Sequence, residues 1–173
     1  DLYEGNLNII FYYAGHGIPD EDSHDAYLLP VDADGKLAEV CYPVSRLYKE
    51  LGDLGAKNVI VFMDACFSGA QRGDGMLMSA RGVAIKSKAQ IPNNNMVVFS
   101  AATGEETAYP YKEKGHGLFT YFLLKKLQET RGECTLGELG EYIKQKVRQH
   151  SVLVNRKSQT PTIQSSSKLA KDW

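Results

Sequence analysis

Two short segments carry the residues best suited to do chemistry: Tyr12-Tyr13-Ala14-Gly15-His16-Gly17 and Asp64-Ala65-Cys66-Phe67-Ser68-Gly69. Each follows directly on an apolar run that reads as a buried strand. One delivers an imidazole and the other a thiol, about fifty residues apart in the chain. A thiol attacks as its thiolate and needs a partner that favours that form or activates the attack. An imidazole can do so and can later protonate a leaving group. A histidine and a cysteine emerging from strand ends of one sheet therefore point to nucleophilic hydrolysis, and so to a peptidase. Gly15 and Gly17 flank His16 and read as a tight turn that allows close approach to a substrate. Ala65 before Cys66 and Ser68-Gly69 after it read as an exposed turn following a strand.

The elements that must position this pair can be read from apolar spacing. Leu7-Asn8-Ile9-Ile10-Phe11-Tyr12-Tyr13 is nearly continuous apolar, the pattern of a strand covered on both faces. Val59-Ile60-Val61-Phe62-Met63 and Met96-Val97-Val98-Phe99 repeat it. A short strand is expected over Ala26-Tyr27-Leu28-Leu29. Val44, Leu47, Leu51 and Leu54 share one face of a first helix. Phe119, Phe122, Leu123 and Leu127 mark a second, and Leu136, Leu139, Ile143 and Val147 a third. Thr135 and Glu138 have the spacing of a capping box at the third helix's start. Thr160-Pro161-Thr162-Ile163 reads as a last edge strand before a Ser-rich tail. Strands alternating with helices predict an α/β sandwich with a mostly parallel sheet. Ligands of such sheets bind beyond the carboxyl ends of the strands, which is where His16 and Cys66 emerge.

Composition excludes several classes. The chain has 173 residues, 43% hydrophobic and 24% charged, enough for one domain with a sizeable core. No apolar run approaches the roughly 20 residues of a membrane span. The three cysteines, Cys41, Cys66 and Cys134, are odd in number and form no CxxC or Cys/His ligand cluster. Cys41 and Cys134 read as small buried or half-buried residues, and a reducing, cytoplasmic setting fits. The net charge of −1 conceals an asymmetry. Asp1, Glu4, Asp20, Glu21, Asp22, Asp25, Asp32 and Asp34 all precede the first Lys or Arg. Such a run suits either a solvated loop or a rim attractive to basic substrates or a divalent cation. The basic residues beyond it are dispersed, which argues against nucleic-acid binding.

Residues 67–95 have no periodic element, and a connection this long is usually functional or disordered. It contains Arg72, Arg81, Lys86 and Lys88 and reads as a cleavable activation segment beside the cysteine. A serine hydrolase using Ser68 or Ser100 is remote, because no G-x-S-x-G elbow occurs.

A caspase signature is a small residue, Cys, a variable residue and Gly with a histidine about 50 residues upstream, and Ala65-Cys66-Phe67-Ser68-Gly69 behind His16 is close to it. The chain resembles the caspase-like cysteine peptidases, within them the prokaryotic metacaspase or orthocaspase type. Tyr-Tyr-Ala-Gly-His-Gly matches the histidine motif and Asp-Ala-Cys-Phe-Ser-Gly the metacaspase-type cysteine motif. True caspases have Gln before Ala-Cys instead. Ala26 to Asp32, Ser100-Ala101-Ala102 and Gly115 to Tyr121 also look like bacterial family members. The resemblance runs from about Asn8 to Ile163.

It implies a three-layer αβα sandwich, with residues 1–163 as the carboxy-terminal part of a peptidase domain and 164–173 as a tail. It also implies that the family's first strands are missing from this chain. An amino-terminal fragment of the same precursor is the expected partner, since an unpaired sheet edge is costly; a truncated chain is the competing explanation. Cys66 is the implied nucleophile, His16 the acid-base partner, and the N–H groups of Gly17 and Cys66 the oxyanion hole. No cofactor is required. In metacaspase and clostripain-like relatives the acid matching Asp64 lines the pocket for the residue before the scissile bond. Asp64 lies two residues before Cys66 and so faces the same side of an extended segment. A carboxylate there selects Arg or Lys; the alternative is that Asp64 caps nearby backbone amides. Glu105 and Glu106 are candidates for a second acid. The expectation is a cysteine endopeptidase cutting after Arg or Lys, with self-processing at Arg72, Arg81, Lys86 or Lys88. A caspase-fold pseudoenzyme or interaction module is the alternative. Metacaspases often bind calcium through acids after the histidine motif. Asp20, Asp22, Asp25, Asp32 and Asp34 occupy that region without the family's denser spacing, and Asp32-Ala33-Asp34-Gly35 is too short for an EF-hand loop. His24, His116 and His150 read as structural.

Overall fold

The structure is a computed structural model, described here for residues 5–19, 25–33, 40–67, 95–103 and 106–165. Its strands are β1 (Asn8–Pro19), β2 (Ala26–Leu28), β3 (Tyr42–Pro43), β4 (Asn58–Cys66), β5 (Met96–Ser100), β6 (Pro110–Tyr111), β7 (His116–Gly117) and β8 (Thr162–Ser165). Its helices are α1 (Val44–Asp53), α2 (Leu118–Thr130) and α3 (Leu136–Asn155). Six strands form one sheet in the order β3-β2-β1-β4-β5-β8. The centre, β1-β4-β5, is parallel, and antiparallel pairs extend it on both sides.

Period-two alternation sorts β4 and β5 between two cores. Val59, Val61, Met63, Met96 and Val98 face α1, where Val44, Leu47 and Tyr48 are buried. Phe62, Cys66, Val97 and Phe99 face the layer of α2 and α3, with Phe119, Phe122, Leu139, Ile143 and Val147. Helices thus lie on both faces, as a parallel sheet requires. The expected face of α1 shifts at its end: Tyr48 is buried, whereas Leu54 lies outside the helix and is exposed. The third helix begins as its sequence predicts. Thr135 Oγ1 accepts from Glu138 N–H at 3.1 Å, and the Glu138 carboxylate accepts from Thr135 N–H at 3.0 Å.

Strand β1 departs from expectation. Ile9, Phe11 and Tyr13 pack toward the α1 core, but on the other face Ile10 is 68% exposed and Tyr12 47%. Its continuous apolar run does not mean cover on both sides among the described residues. The strand also does not stop at Tyr13. It continues through the glycines to Pro19, because Gly17, Ile18 and Pro19 pair with β2. Pairing across the sheet overrides the turn signal of Gly-x-Gly. Along Asn8–His16 the edge facing away from β4 has no partner strand among the described residues.

Candidate active site

The β1–β4 ladder runs in register from Asn8↔Asn58 to His16↔Cys66. Parallel strands lie about 4.8 Å apart, and residues at the same register point to the same face. His16 and Cys66 are therefore side by side on the α2 face of the sheet. Two residues earlier Ala14 opposes Asp64, and four residues earlier Tyr12 opposes Phe62. Neither glycine beside His16 uses a left-handed conformation. Each is needed for space instead. A Cβ on Gly15 would meet the Tyr13 ring, with Oη at 2.6 Å. One on Gly17 would lie 2.3 Å from Phe67 Cδ1 and 2.6 Å from the Cys66 carbonyl oxygen. Gly17 thus lets the backbone after His16 close on the backbone of Cys66. The histidine's carbonyl is held by Leu29 N–H at 3.0 Å and Tyr13 Oη–H at 2.8 Å.

Cys66 is the last residue of β4 and is 7% exposed, so it is not in an exposed turn. Its sulfur turns to the 106–109 segment, where the Ala108 N–H donates to Sγ at 2.8 Å. The thiol is 3.4 Å from the Ala108 carbonyl oxygen, to which it donates. A backbone N–H supports a thiolate, whereas a carbonyl partner holds the neutral thiol. The segment is itself anchored by fully buried Gln159. Its side chain accepts from Tyr109 N–H at 2.8 Å and donates to the Ala101 carbonyl at 2.9 Å.

Asp64 is 1% exposed. Its Oδ2 accepts from Thr120 Oγ1–H at 2.6 Å and from Thr120 N–H at 3.3 Å. Thr120 is in the first turn of α2, whose N-cap Gly117 offers no side-chain acceptor. Asp64 therefore supplies from β4 the carboxylate that a helix N-terminus favours. Gly117 packs directly on it, since a Cβ there would lie 2.2 Å from Oδ2. Tyr12 Oη is 2.7 Å from Thr120 Oγ1, so the two strands and the helix meet through these hydroxyls.

The other expected residues are placed differently. Glu106 is engaged by the 158–160 segment: Ser158 Oγ–H donates at 2.7 Å and Thr160 N–H at 2.6 Å, with the Thr160 hydroxyl at 3.2 Å. It ties two loops together and is not drawn into the site. Glu105, His24, Asp20, Asp22, Asp34 and the basic residues Arg72, Arg81, Lys86 and Lys88 lie outside the described residues, as does most of the 67–95 loop. Asp25 accepts from Ala26 N–H at 2.8 Å and from the Ser45 hydroxyl, and Asp32 is exposed. Among the described residues no group of three or more His, Cys, Asp and Glu side chains is placed to hold a metal ion. His116 is exposed on β7, and His150 stacks with Phe122 at 4.7 Å between ring centroids. Tyr12, Ala108, Gly117, Thr120 and Gln159 escaped sequence reasoning as site residues, because their partners lie far away in the chain.

A family model described as the caspase domain matches residues 4–172. Caspase-1 from Spodoptera frugiperda is a structural neighbour at a TM-score of 0.63 and 16% identity. The match covers 95% of this chain and 62% of that one, so the chain spans less than two thirds of that caspase's length. A protein from Geobacter sulfurreducens matches at 0.60 and 17% identity, over 94% of this chain and 67% of its own. The proform of the Spodoptera caspase matches at 0.55 and 16% identity, over 94% and 62%. No curated protein matches the chain. The fold and the paired strand ends define a caspase-like α/β sandwich. The chain belongs to the caspase-domain family, a family of cysteine peptidases.

Proposed function

We propose that this chain carries the catalytic pair of a cysteine endopeptidase of the metacaspase type that cleaves after Arg or Lys. The observation that carries the reading is the register His16↔Cys66 on neighbouring parallel strands, both on the face covered by α2. Cys66 attacks the peptide carbonyl, and His16 takes up the thiol proton and delivers it to the leaving amine. The developing oxyanion is met by the N–H groups of Gly17 and Cys66, whose backbones the missing Cβ of Gly17 allows to approach. Water then releases the acyl group by the reverse proton path. The Ala108 contacts must yield for Sγ to attack, which fits a proform.

Selection of Arg or Lys is assigned to Asp64, one position below Cys66 on the same face. Asp64 is proposed to do this while its Oδ2 also accepts both Thr120 donors at the start of α2. Arg72, Arg81, Lys86 and Lys88 are proposed self-processing sites in the 67–95 loop. A further segment of the precursor is proposed to cover the unpaired edge of Asn8–His16 and the exposed Ile10 and Tyr12. Burying a side chain like Ile10 contributes about 1.5–3 kcal/mol, a reason for such a segment to stay bound. Calcium activation is proposed only through acids beyond the described residues, and a chelator leaving the rate unchanged dismisses it.

The test is a peptide-library cleavage profile of the intact protein, wild type and Cys66→Ala. Cleavage after Arg and Lys, lost in Cys66→Ala, is expected. Cutting after Asp and not after Arg overturns the specificity, and full activity of Cys66→Ala overturns the mechanism.

A further inference from the structure

Asp64 is not held by its own strand alone. Its Oδ2 is 2.6 Å from Thr120 Oγ1, which is 2.7 Å from Tyr12 Oη. The protons of this chain can be assigned. An ionised carboxylate only accepts, so the Thr120 hydroxyl donates to Asp64. The Thr120 oxygen must then accept from Tyr12, which commits the tyrosine proton inward. The Thr120 N–H adds a second donor to the same oxygen. Gly117 leaves room for the arrangement, because a Cβ there would lie 2.2 Å from Oδ2.

We propose that Thr120, with Tyr12 behind it, is the positioning residue for the specificity carboxylate Asp64. This rests on the reading of Asp64 as the group that selects a basic side chain. Loss of the Thr120 hydroxyl removes a charge-assisted donor from a carboxylate that is 1% exposed. The carboxylate then turns toward whatever donor remains and no longer faces an incoming guanidinium or ammonium in a fixed orientation. Binding of the basic residue weakens, while attack by Cys66 on a neutral analogue is affected less. A purely structural Thr120 would instead lower activity toward all substrates alike.

The experiment compares reporter peptides ending in Arg and in citrulline, its neutral isostere, on the intact protein. Asp64→Asn should collapse the Arg-to-citrulline ratio in kcat/KM. Thr120→Val, nearly the same shape without the hydroxyl, should lower that ratio about tenfold (about 1.4 kcal/mol), more through KM than kcat. Thr120→Ser should restore most of it. Tyr12→Phe, at a half-exposed position, should lower it about threefold. An unchanged ratio in Asp64→Asn shows that the reading of Asp64 is wrong. A collapsed ratio in Asp64→Asn beside wild-type ratios in Thr120→Val and Tyr12→Phe overturns the positioning role. Equal losses toward both peptides in Thr120→Val, without rescue by serine, overturn it too. If Thr120→Val does not fold, the Tyr12→Phe ratio decides alone.

Discussion

Gln159→Met removes the amide that fastens the segment presenting Ala108 to Cys66. Gln159 is fully buried, and its side chain satisfies Tyr109 N–H and the Ala101 carbonyl together. Methionine keeps the length and the apolar stem but satisfies neither. A polar group left buried without a partner costs about 1–3 kcal/mol. Ala101 is fully buried, so its carbonyl is charged near the middle of that range, about 2 kcal/mol. Tyr109 is half-buried and regains part of its bond from water, so its N–H is set at the lower end, about 1 kcal/mol. Favourable burial of the thioether offsets part of this, and the net loss is about 2–3 kcal/mol. At about 2–4 °C per kcal/mol for a domain of this size, Tm falls by roughly 4–12 °C. Urea unfolding of the intact protein measures the loss directly. A second readout follows from the site: the loosened 106–109 segment should raise the rate at which iodoacetamide alkylates Cys66. A stability change below about 0.5 kcal/mol, together with unchanged alkylation, would refute the assignment of Gln159 as the anchor of this segment.

Gly17→Ala places a Cβ 2.6 Å from the Cys66 carbonyl, a backbone atom that cannot rotate aside. The resulting displacement of about an ångström should cost on the order of 10²-fold in the rate of active-site acylation, read with an arginyl electrophile. Tyr48 has its pKa raised above its ordinary value of 10.0, by burial first and by Asp25 second. The folded state thus holds its proton after the unfolded chain has lost it, so stability is full below about pH 10 and falls as pH rises further. Tyr48→Phe should flatten that alkaline limb, by up to about 1.4 kcal/mol per pH unit, in urea midpoints compared between pH 8 and 11. Thr135→Ala loses the capping box of α3 and should cost about 1 kcal/mol in the same assay.

How far the fold could be read from the chain depended on the range of the interactions. The capping box of α3 involves residues three apart, and its helix has the period of a half-buried face, so both were legible. Strands β4 and β5, buried on both faces, announced themselves as apolar runs. The end of β1 did not, since Gly15, Gly17 and Pro19 read locally as a turn, and pairing with β4 at Gly15 and with β2 at Gly17 and Pro19 keeps them extended. His16 and Cys66 could be proposed as a pair because their motifs are local. The tie between Asp64 and Thr120 spans 56 positions and that between Cys66 and Ala108 spans 42, and nothing in the local pattern of either residue names its partner. Gln159 illustrates the same limit. A glutamine between polar neighbours reads as a surface loop, and its burial follows only from the packing of α3 against the end of β5.

The register of β1 against β4 is the feature on which the proposed chemistry turns. A slip of one residue between these strands would turn His16 to the α1 face while Cys66 stayed on the α2 face, because side chains alternate with a period of two. Three features oppose such a slip. At the far end of the ladder Asn58 Nδ2–H donates to Asn8 Oδ1 at 2.9 Å, a pairing available only in register. In the middle, Tyr12 reaches Thr120 while Asp64 does so from β4, so one helix residue reads the position of both strands. At the near end, Gly17 alone permits the closest approach to the Cys66 carbonyl. Thr120 therefore belongs to both problems at once. It orients the carboxylate proposed to choose the substrate, and it checks the alignment that sets the histidine beside the cysteine. The residues that distinguish this site from two unrelated strand ends are consequently found on α2 as much as on the strands.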